Sequence, residues 1–516
     1  MEKQIYPIGE QNFREIRLSN KVYVDKTQFI PQLIDNKFYF LSRPRRFGKS
    51  LFLSTLEYFF RGEKDLFKGL AVETMDWEWK EYPIIRIDLS NGSFSQREGL
   101  EERLHEIINQ ISRNYDVSIE GNSSRARFNS LILRLKETTG MPVVILIDEY
   151  EKPLLEGSEQ KHIAEQQNLL RDFYSVLKDN GENIRMLFIT GVTRLGHLNI
   201  FSGLNNLIDI SLDIDFSAIC GITEKELIDN FQPGIEKFAS LNGYDYEKAL
   251  EELKLYYDGY HFSRMLIDIY NPFSLISSLR VSDIVSRWFQ TGSSSFLINR
   301  LRKSHINLES LDKIRASEND LLGVDSSMNN IVTLFYQSGY LTIKGYDRNT
   351  RTYFLGLPNR EVSEALYSAI IPFYLGEKYR ESRNETLDFI NMLKQGKAYE
   401  AMKWLQGYFS SIPYDVKLDF ESEFQQVIYA FFALTGQMAG TTLEKKTSDG
   451  SIDMIYETDD YVYVFEFKRG EDPLKALKQI NDKQYPLQWQ ADRRKVIKIG
   501  VAFSVKSRGI AGFVIE

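Results

Sequence analysis

Between Lys37 and Gly191 short apolar runs alternate with segments of helical period. Phe38-Tyr39-Phe40-Leu41 has the uninterrupted apolarity of a buried strand, and a glycine turn then leads into a periodic segment from Leu51 to Phe60. Ile84 to Leu89 predicts a second strand, followed by helices over Leu100 to Ile111 and Arg125 to Lys136. Val143 to Ile147 predicts a third strand, Glu165 to Lys178 a helix, and Ile184 to Thr190 a fourth strand. Leu207 to Leu212 is apolar enough to add a fifth. Strands alternating with helices predict βαβ units, hence an α/β fold with a parallel sheet covered on both faces.

Beyond Asn271-Pro272 the pattern turns mostly helical, up to about Leu334. A helix-like stretch is then followed by Tyr340 to Ile343 and Thr352 to Leu355, with polar residues at the bend; helix then hairpin is the pattern of a winged helix. A second helical region runs to about Gly407. From Leu418 the order becomes helix, hairpin, helix and late strand, which predicts a separate small α/β domain. The expected division is therefore 1–275, 276–410 and 411–516.

Composition narrows the class. The 516 residues are 43% hydrophobic and 26% charged, which excludes wholesale disorder, and 13 Pro with 32 Gly leave little for long flexible linkers. No apolar run approaches the ~18 residues of a membrane span, and the N-terminus has no apolar signal core, so a cytoplasmic protein without membrane association is expected. The single cysteine, Cys220, excludes an internal disulfide and a cysteine-cluster zinc site, and the five histidines show no metal-ligand spacing. A net charge of −8 argues against a uniformly basic nucleic-acid binder but leaves room for a local basic groove.

The first chemical signal is Gly48-Lys49-Ser50 between a strand and a helix. In that setting backbone N–H groups of a tight loop and a helix N-terminus cradle anionic phosphates, the lysine reaches the β/γ-phosphates and the serine holds Mg²⁺. Arg43 stands where such a loop usually starts with glycine, in Arg43-Pro44-Arg45-Arg46-Phe47-Gly48-Lys49-Ser50. A Gly-Lys-Ser at a helix start also arises without any nucleotide, so the tripeptide alone decides nothing. The second half of the constellation is the apolar strand Val143 to Ile147 ending in Asp148-Glu149. There Asp148 is expected to coordinate the metal and Glu149 to orient the attacking water. One further strand lies between these two motifs in sequence and another follows, ending at Thr190. That order fits the additional-strand class of P-loop ATPases, with Thr190 or Thr193 as a γ-phosphate sensor. The expected nucleotide site is Arg46, Gly48, Lys49, Ser50, Asp148 and Thr190, with Glu149 catalytic. Arg194, just past the sensor strand, is placed to stabilise phosphate charge, but a surface arginine is the favoured reading.

Six motifs in order carry a resemblance. Tyr23 to Thr27, Arg43 to Ser50, Leu146 to Tyr150, Phe188 to Arg194, Phe201 to Leu207 and Tyr257 to Tyr260 together make residues 1 to about 275 similar to the predicted AAA-ATPase-like family. Its members are bacterial and usually carry a C-terminal nuclease-superfamily domain. The resemblance implies that the arginine-rich loop is the family's own version and that ATP is the ligand. Glu151 stands where the family commonly has aspartate, a change that keeps the charge.

The second chemical signal is Asp453, Glu466 and Lys468. With Asp459-Asp460 as a two-residue turn, Thr458 faces Tyr461 and counting back sets Asp453 opposite Glu466, while period two puts Lys468 on the face of Glu466. Facing residues have Cβ atoms about 4.5–5.5 Å apart, close enough for two carboxylates to share a hard cation. Glu-x-Lys also occurs on solvated strands, but Ile452, Met454, Phe465 and Phe467 flank these acids, and unscreened like charges there are destabilising.

Residues 411 to 516 resemble the PD-(D/E)XK nuclease superfamily, with Gly450-Ser451-Ile452-Asp453 close to its Gly-Arg-Ile-Asp motif. The resemblance implies Asp453 and Glu466 as metal acids, Lys468 as catalytic lysine, Glu423 as the first-helix acid, and Gln479 and Tyr485 on or after the following helix, which Asp472-Pro473 is expected to cap. The reading is an ATP-binding, hydrolysing protein fused to a Mg²⁺-dependent nuclease, with Mn²⁺ an alternative metal. It would cut phosphodiester bonds in nucleic acid, with DNA favoured over RNA, and a homo-oligomer is compatible with it. The competing reading is a nucleotide-dependent switch or scaffold that binds nucleic acid or protein without cutting, and a third, weaker one is an ATPase that remodels protein partners.

Overall fold

The computed structural model describes residues 4–92, 94, 97–156, 160–194, 200–201, 203–287, 311, 313–323, 330–375, 383–410, 428–430, 441–447, 450–470, 472–504 and 509–516. Two compact units emerge: residues 1–287 with 314–359, and residues 288–313 with 360–516.

In the first unit β1 (Phe38–Ser42) leads into α1 (Lys49–Phe60), followed by β2 (Ile84–Asp88), α2 (Arg97–Asn114), α3 (Ser124–Thr139), β3 (Val143–Asp148), α4 (Gln160–Asp179), β4 (Ile184–Gly191) and β5 (Ile208–Asp209). All neighbours are parallel, in the spatial order β2-β3-β4-β1-β5. The expected α/β sheet is therefore present, with the fifth strand reduced to two residues. Every residue of β1 and β3 is buried, which explains why both strands are continuously apolar rather than alternating. Phe128 stacks on Phe173 at 4.5 Å, joining α3 to α4 on one face of the sheet.

A helical layer follows, α5 (Glu224–Asn242), α6 (Tyr246–Tyr257) and α7 (Pro272–Val281). Thr223 and Glu226 form a reciprocal capping box at the start of α5, and Asn271 with Pro272 starts α7. The same unit contains β6 (Ile314–Ala316), α8 (Glu318–Leu322), α9 (Ile331–Ser338), β7 (Thr342–Asp347) and β8 (Thr352–Gly356). The strands pair antiparallel in the order β6-β8-β7, giving the helix-then-hairpin element a third strand. Packing rather than chain order places it here: His261 N–H donates to Thr342 Oγ1 at 2.7 Å and Asn359 Nδ2 to the Asp258 carbonyl at 2.8 Å. Gly259, at φ +85°, must be glycine because a Cβ would stand 2.3 Å from the Pro358 carbonyl.

The second unit has helices α10 (Arg360–Leu375), α11 (Arg383–Lys394) and α12 (Ala398–Ser410), then β9 (Thr441–Thr447), β10 (Gly450–Glu457), β11 (Tyr461–Arg469), α13 (Leu474–Asp482), β12 (Lys495–Ser504) and β13 (Gly509–Ile515). The sheet order is β13-β12-β11-β10-β9, antiparallel except for β11 beside β12. The crossover between those two parallel strands is α13, as parallel pairing requires. Tyr463 on β11 donates its hydroxyl to the Leu393 carbonyl at 2.5 Å, so the helical residues before 410 pack on this sheet.

Candidate functional sites: a phosphate loop and a paired-carboxylate hairpin

The loop between β1 and α1 contains two left-handed residues, Arg46 at φ +66° and Gly48 at φ +94°. Such reversals turn successive amides toward one side, which is how a short loop becomes an anion cradle. Lys49 is buried, and its ammonium donates to the carbonyls of Arg43 and Pro44, each at 3.0 Å. Burial pulls its pKa down, against the attraction of Asp148, Glu151 and Glu149. A lysine tied back to its own loop carbonyls suits an incoming polyphosphate, whose anionic oxygens are stronger acceptors than those carbonyls. The residues present fit a nucleotide. Ser50 lies half-buried in the first turn of α1.

Arg43 explains the missing first glycine. Its guanidinium is buried, donates to the carbonyls of Ser42, Ser211 and Phe216 at 2.9, 2.8 and 3.0 Å, and stacks 4.3 Å from the Phe262 ring. Burial brings it down to about 10, still charged at neutral pH. The side chain therefore braces the loop from below. Arg46 stacks 3.8 Å from the ring of Phe273.

Asp148 ends β3 buried, and its Oδ1 accepts from Thr190 Oγ1 at 2.6 Å and from the Glu149 N–H at 3.1 Å. Glu149 has φ +51°, an unfavourable conformation for a residue with a Cβ, of the kind that collects at functional turns. The strand carrying Thr190 lies between β1 and β3, so Thr190 and Asp148 sit on neighbouring strands while the loop and Asp148 are one strand apart. Thr193 is also buried, with its hydroxyl unpartnered among the described residues.

Two features lay outside the sequence reading. Arg194 is not a surface residue: its side chain is 8% exposed, pairs with Asp209 and lies 5.5 Å from the Phe40 ring. Only the placement of β5 beside β1 brings Asp209 there, and the local sequence has no sign of it. Glu151 is likewise buried, and burial lifts it to about 7. Its signal in the sequence was its position directly after the Leu146 to Tyr150 motif, where the resemblance implies an acid. Beside Gly48 an apolar cavity is lined by Val22, Val24, Leu51, Phe231 and Ile276, with Cys220 and Lys26 at its wall. Lys26 is occupied by Glu226 at 2.7 Å.

In the second unit the turn falls at Asp459-Asp460, and the β10–β11 ladder runs from Glu457↔Val462 to Met454↔Phe465. The next positions in that register are Asp453 and Glu466. The ladder gives way there because Asp453 Oδ2 accepts the Phe467 N–H at 2.7 Å. Glu466 is fully buried and accepts from Lys468 Nζ at 2.8 Å, while Lys468 itself is one-third exposed. Gln479 on α13 hydrogen-bonds the Tyr485 side chain, and the Tyr485 hydroxyl feels the charges of Glu466, Asp453 and Lys468. Gly500, opposite Glu466 on β12, lets α13 approach: a Cβ would stand 2.6 Å from the Leu477 nitrogen. The helix cap differs from expectation, since Pro473 is the capping residue, although Asp472 Oδ1 still accepts from the Leu474 N–H. Glu423 lies outside the described residues. Among the described residues no three His, Cys, Asp or Glu side chains are grouped closely enough to hold a metal ion.

A parallel sheet with a phosphate loop, and a second sheet with an Asp, Glu and Lys at one hairpin, define an ATPase-type domain joined to a nuclease-type domain. Comparison with known families agrees: residues 7–201 match the family described as predicted AAA-ATPase, and residues 419–512 match the PD-(D/E)XK nuclease superfamily. A protein of Azotobacter chroococcum mcd 1, described as an uncharacterized protein in the vnfD 5′ region, is 35% identical over 529 residues, covering 100% of this chain and 99% of its own. The chain belongs to the predicted AAA-ATPase-like family with a C-terminal PD-(D/E)XK nuclease superfamily domain.

Proposed function

We propose that this protein binds and hydrolyses Mg-ATP in its first domain and cleaves phosphodiester bonds in nucleic acid, DNA first among them, with its last. The domains in this reading are 1–275, 276–410 and 411–516. The observation that carries it is the grouping of Asp453, Glu466 and Lys468 on one hairpin in a chain that also holds Lys49 in a phosphate loop.

At the first site the loop amides, Arg46, Gly48 and Lys49 would hold the phosphates, and Ser50 with Asp148 the Mg²⁺. Lys49 exchanges its two carbonyl partners for phosphate oxygens, and the cavity walled by Val22, Val24 and Phe231 takes the base. Glu149 orients the attacking water and Thr190, already bonded to Asp148, senses the γ-phosphate. At the second site Asp453, Glu466 and the first-helix acid Glu423 would hold Mg²⁺ or Mn²⁺, which when bound activates water and screens the phosphate. Lys468 brings its ammonium to the scissile phosphate, and Glu466 fixes where that ammonium sits.

Purified protein incubated with plasmid and single-stranded DNA, with Mg²⁺ or Mn²⁺ and with or without ATP, tests this reading. Metal-dependent nicking lost in Glu466→Ala supports it. ATP turnover that is lost in Glu149→Gln while ATP still binds supports the first half. A second reading, a nucleotide-dependent scaffold without cleavage, is favoured by both acids being engaged within the hairpin, Asp453 by the Phe467 N–H and Glu466 by Lys468. Absence of cleavage under every metal, with nucleic-acid binding retained, selects it.

A further inference from the structure

Past the end of β4 the backbone has no ladder to satisfy it, yet three successive amides are held by side chains from elsewhere. Glu151 Oε1 accepts from the N–H groups of Val192 at 2.5 Å and Thr193 at 3.0 Å. The next amide, Arg194, donates to Gln337 Oε1 at 2.9 Å. Gln337 lies on α9 of the helix-and-hairpin element, and its Nε2 donates in turn to the Leu321 carbonyl at 2.9 Å. Glu151 Oε2 is buried without a hydrogen-bond partner among the described residues, and a Cβ on Gly191 would stand 2.4 Å from it. Burying a carboxylate this incompletely is costly. Packing alone would be served better by an apolar residue.

The turn so held is the one that follows Thr190, whose hydroxyl reaches Asp148. We propose that Glu151 is a positioning residue for ATP turnover, fixing the turn behind the sensor threonine, and that Gln337 extends this hold into the 314–359 element. The inference rests on the ATPase reading above. Glu151 acts through the turn, its Oε1 holding the amides of Val192 and Thr193. Phosphate binding belongs to the β1–α1 loop, so loosening the turn acts on the chemical step and leaves affinity nearly intact.

The test uses the full chain and separates three readouts: ATP affinity, turnover number, and hydrogen exchange of the amides at 192–194. Glu151→Ala removes the acceptor; Glu151→Gln keeps an oxygen that takes both amides. Glu151→Ala is expected to lower kcat about tenfold or more with affinity changed by no more than about threefold. It should also speed exchange at Val192 and Thr193 by about tenfold. Glu151→Gln is expected to restore both to within about threefold of the native protein. Equal loss in the two variants overturns positioning, because the charge itself would then be required. Unchanged turnover and exchange in Glu151→Ala also overturn it. Should the native protein bind ATP without turning it over, the hydrolysis reading fails, and the exchange measurement alone decides the hold. If Glu151→Ala does not fold, Gln337→Ala replaces it: faster exchange at Arg194 with reduced kcat supports the inference, and no change overturns it.

Discussion

Thr190 Oγ1 donates to Asp148 Oδ1 at 2.6 Å, across two neighbouring strands and between two buried side chains. A hydroxyl bonded to a carboxylate in a buried site contributes more than an exposed one, so Thr190→Val should cost about 1–3 kcal/mol of stability. It should also slow ATP turnover by more than it weakens ATP binding. Thermal melts of the nucleotide-free protein and a kcat-against-affinity comparison check both.

Lys49→Ala should abolish tight ATP binding while the protein still folds. The two carbonyls that Lys49 now satisfies lie in a loop, where water can replace the ammonium. A calorimetric titration with ATP in Mg²⁺ is expected to show affinity lowered about a hundredfold or more, as removal of a charge-assisted phosphate contact predicts. Unchanged affinity removes Lys49 from the site.

Asp453→Asn should blunt stabilisation by divalent metal. Asp453 and Glu466 are consecutive with the last described rung of the hairpin, so an ion bound by both ties the two strands of the folded state only. In a Lys49→Ala background, Mg²⁺ or Mn²⁺ should raise the melting temperature, and at a hundredfold excess over Kd the gain approaches about 2.7 kcal/mol. Asp453→Asn should remove that shift and abolish cleavage. Equal shifts in both proteins exclude a shared metal site.

Asp258 predicts a pH dependence of stability. Burial pushes its carboxyl up to about 7, with the nearby Asp268 adding to the effect and Lys254 opposing it. The folded pKa lies above the unfolded one, so below about pH 4 both states keep the proton and Asp258 costs nothing. As pH rises from there to about 7 the unfolded chain releases the proton and the folded chain does not, and the native state loses stability on the order of 4 kcal/mol at most. Asp258→Asn should therefore gain on the native protein between pH 5 and pH 8. A melting-temperature difference that is flat across that range counts against it.

Much of this was written locally. The strands of the first sheet are legible because β1 and β3 are buried on both faces and must be apolar throughout. The register of β10 and β11 follows from counting back from Asp459-Asp460, because period two and a two-residue turn leave one pairing. Gly48, Lys49 and Ser50 stand out in the sequence because the device they suggest is contiguous: amides, lysine and serine all come from one turn.

What contiguity cannot convey was decided by tertiary packing. The insertion of β4 between β1 and β3 brings Thr190 to Asp148 over 42 positions, and β5 brings Asp209 to Arg194, turning an apparent surface arginine into a buried ion pair. Arg43 became a brace rather than a departure once Ser211, Phe216 and Phe262 closed around it. The hold of Gln337 on Arg194 spans 143 positions. A side chain such as Gln337 carries no periodic or motif signal, because its partner is a backbone amide, and every residue except proline has one. Sequence thus determined the elements and the two chemical motifs, while the neighbours that surround those motifs exist only where distant segments meet.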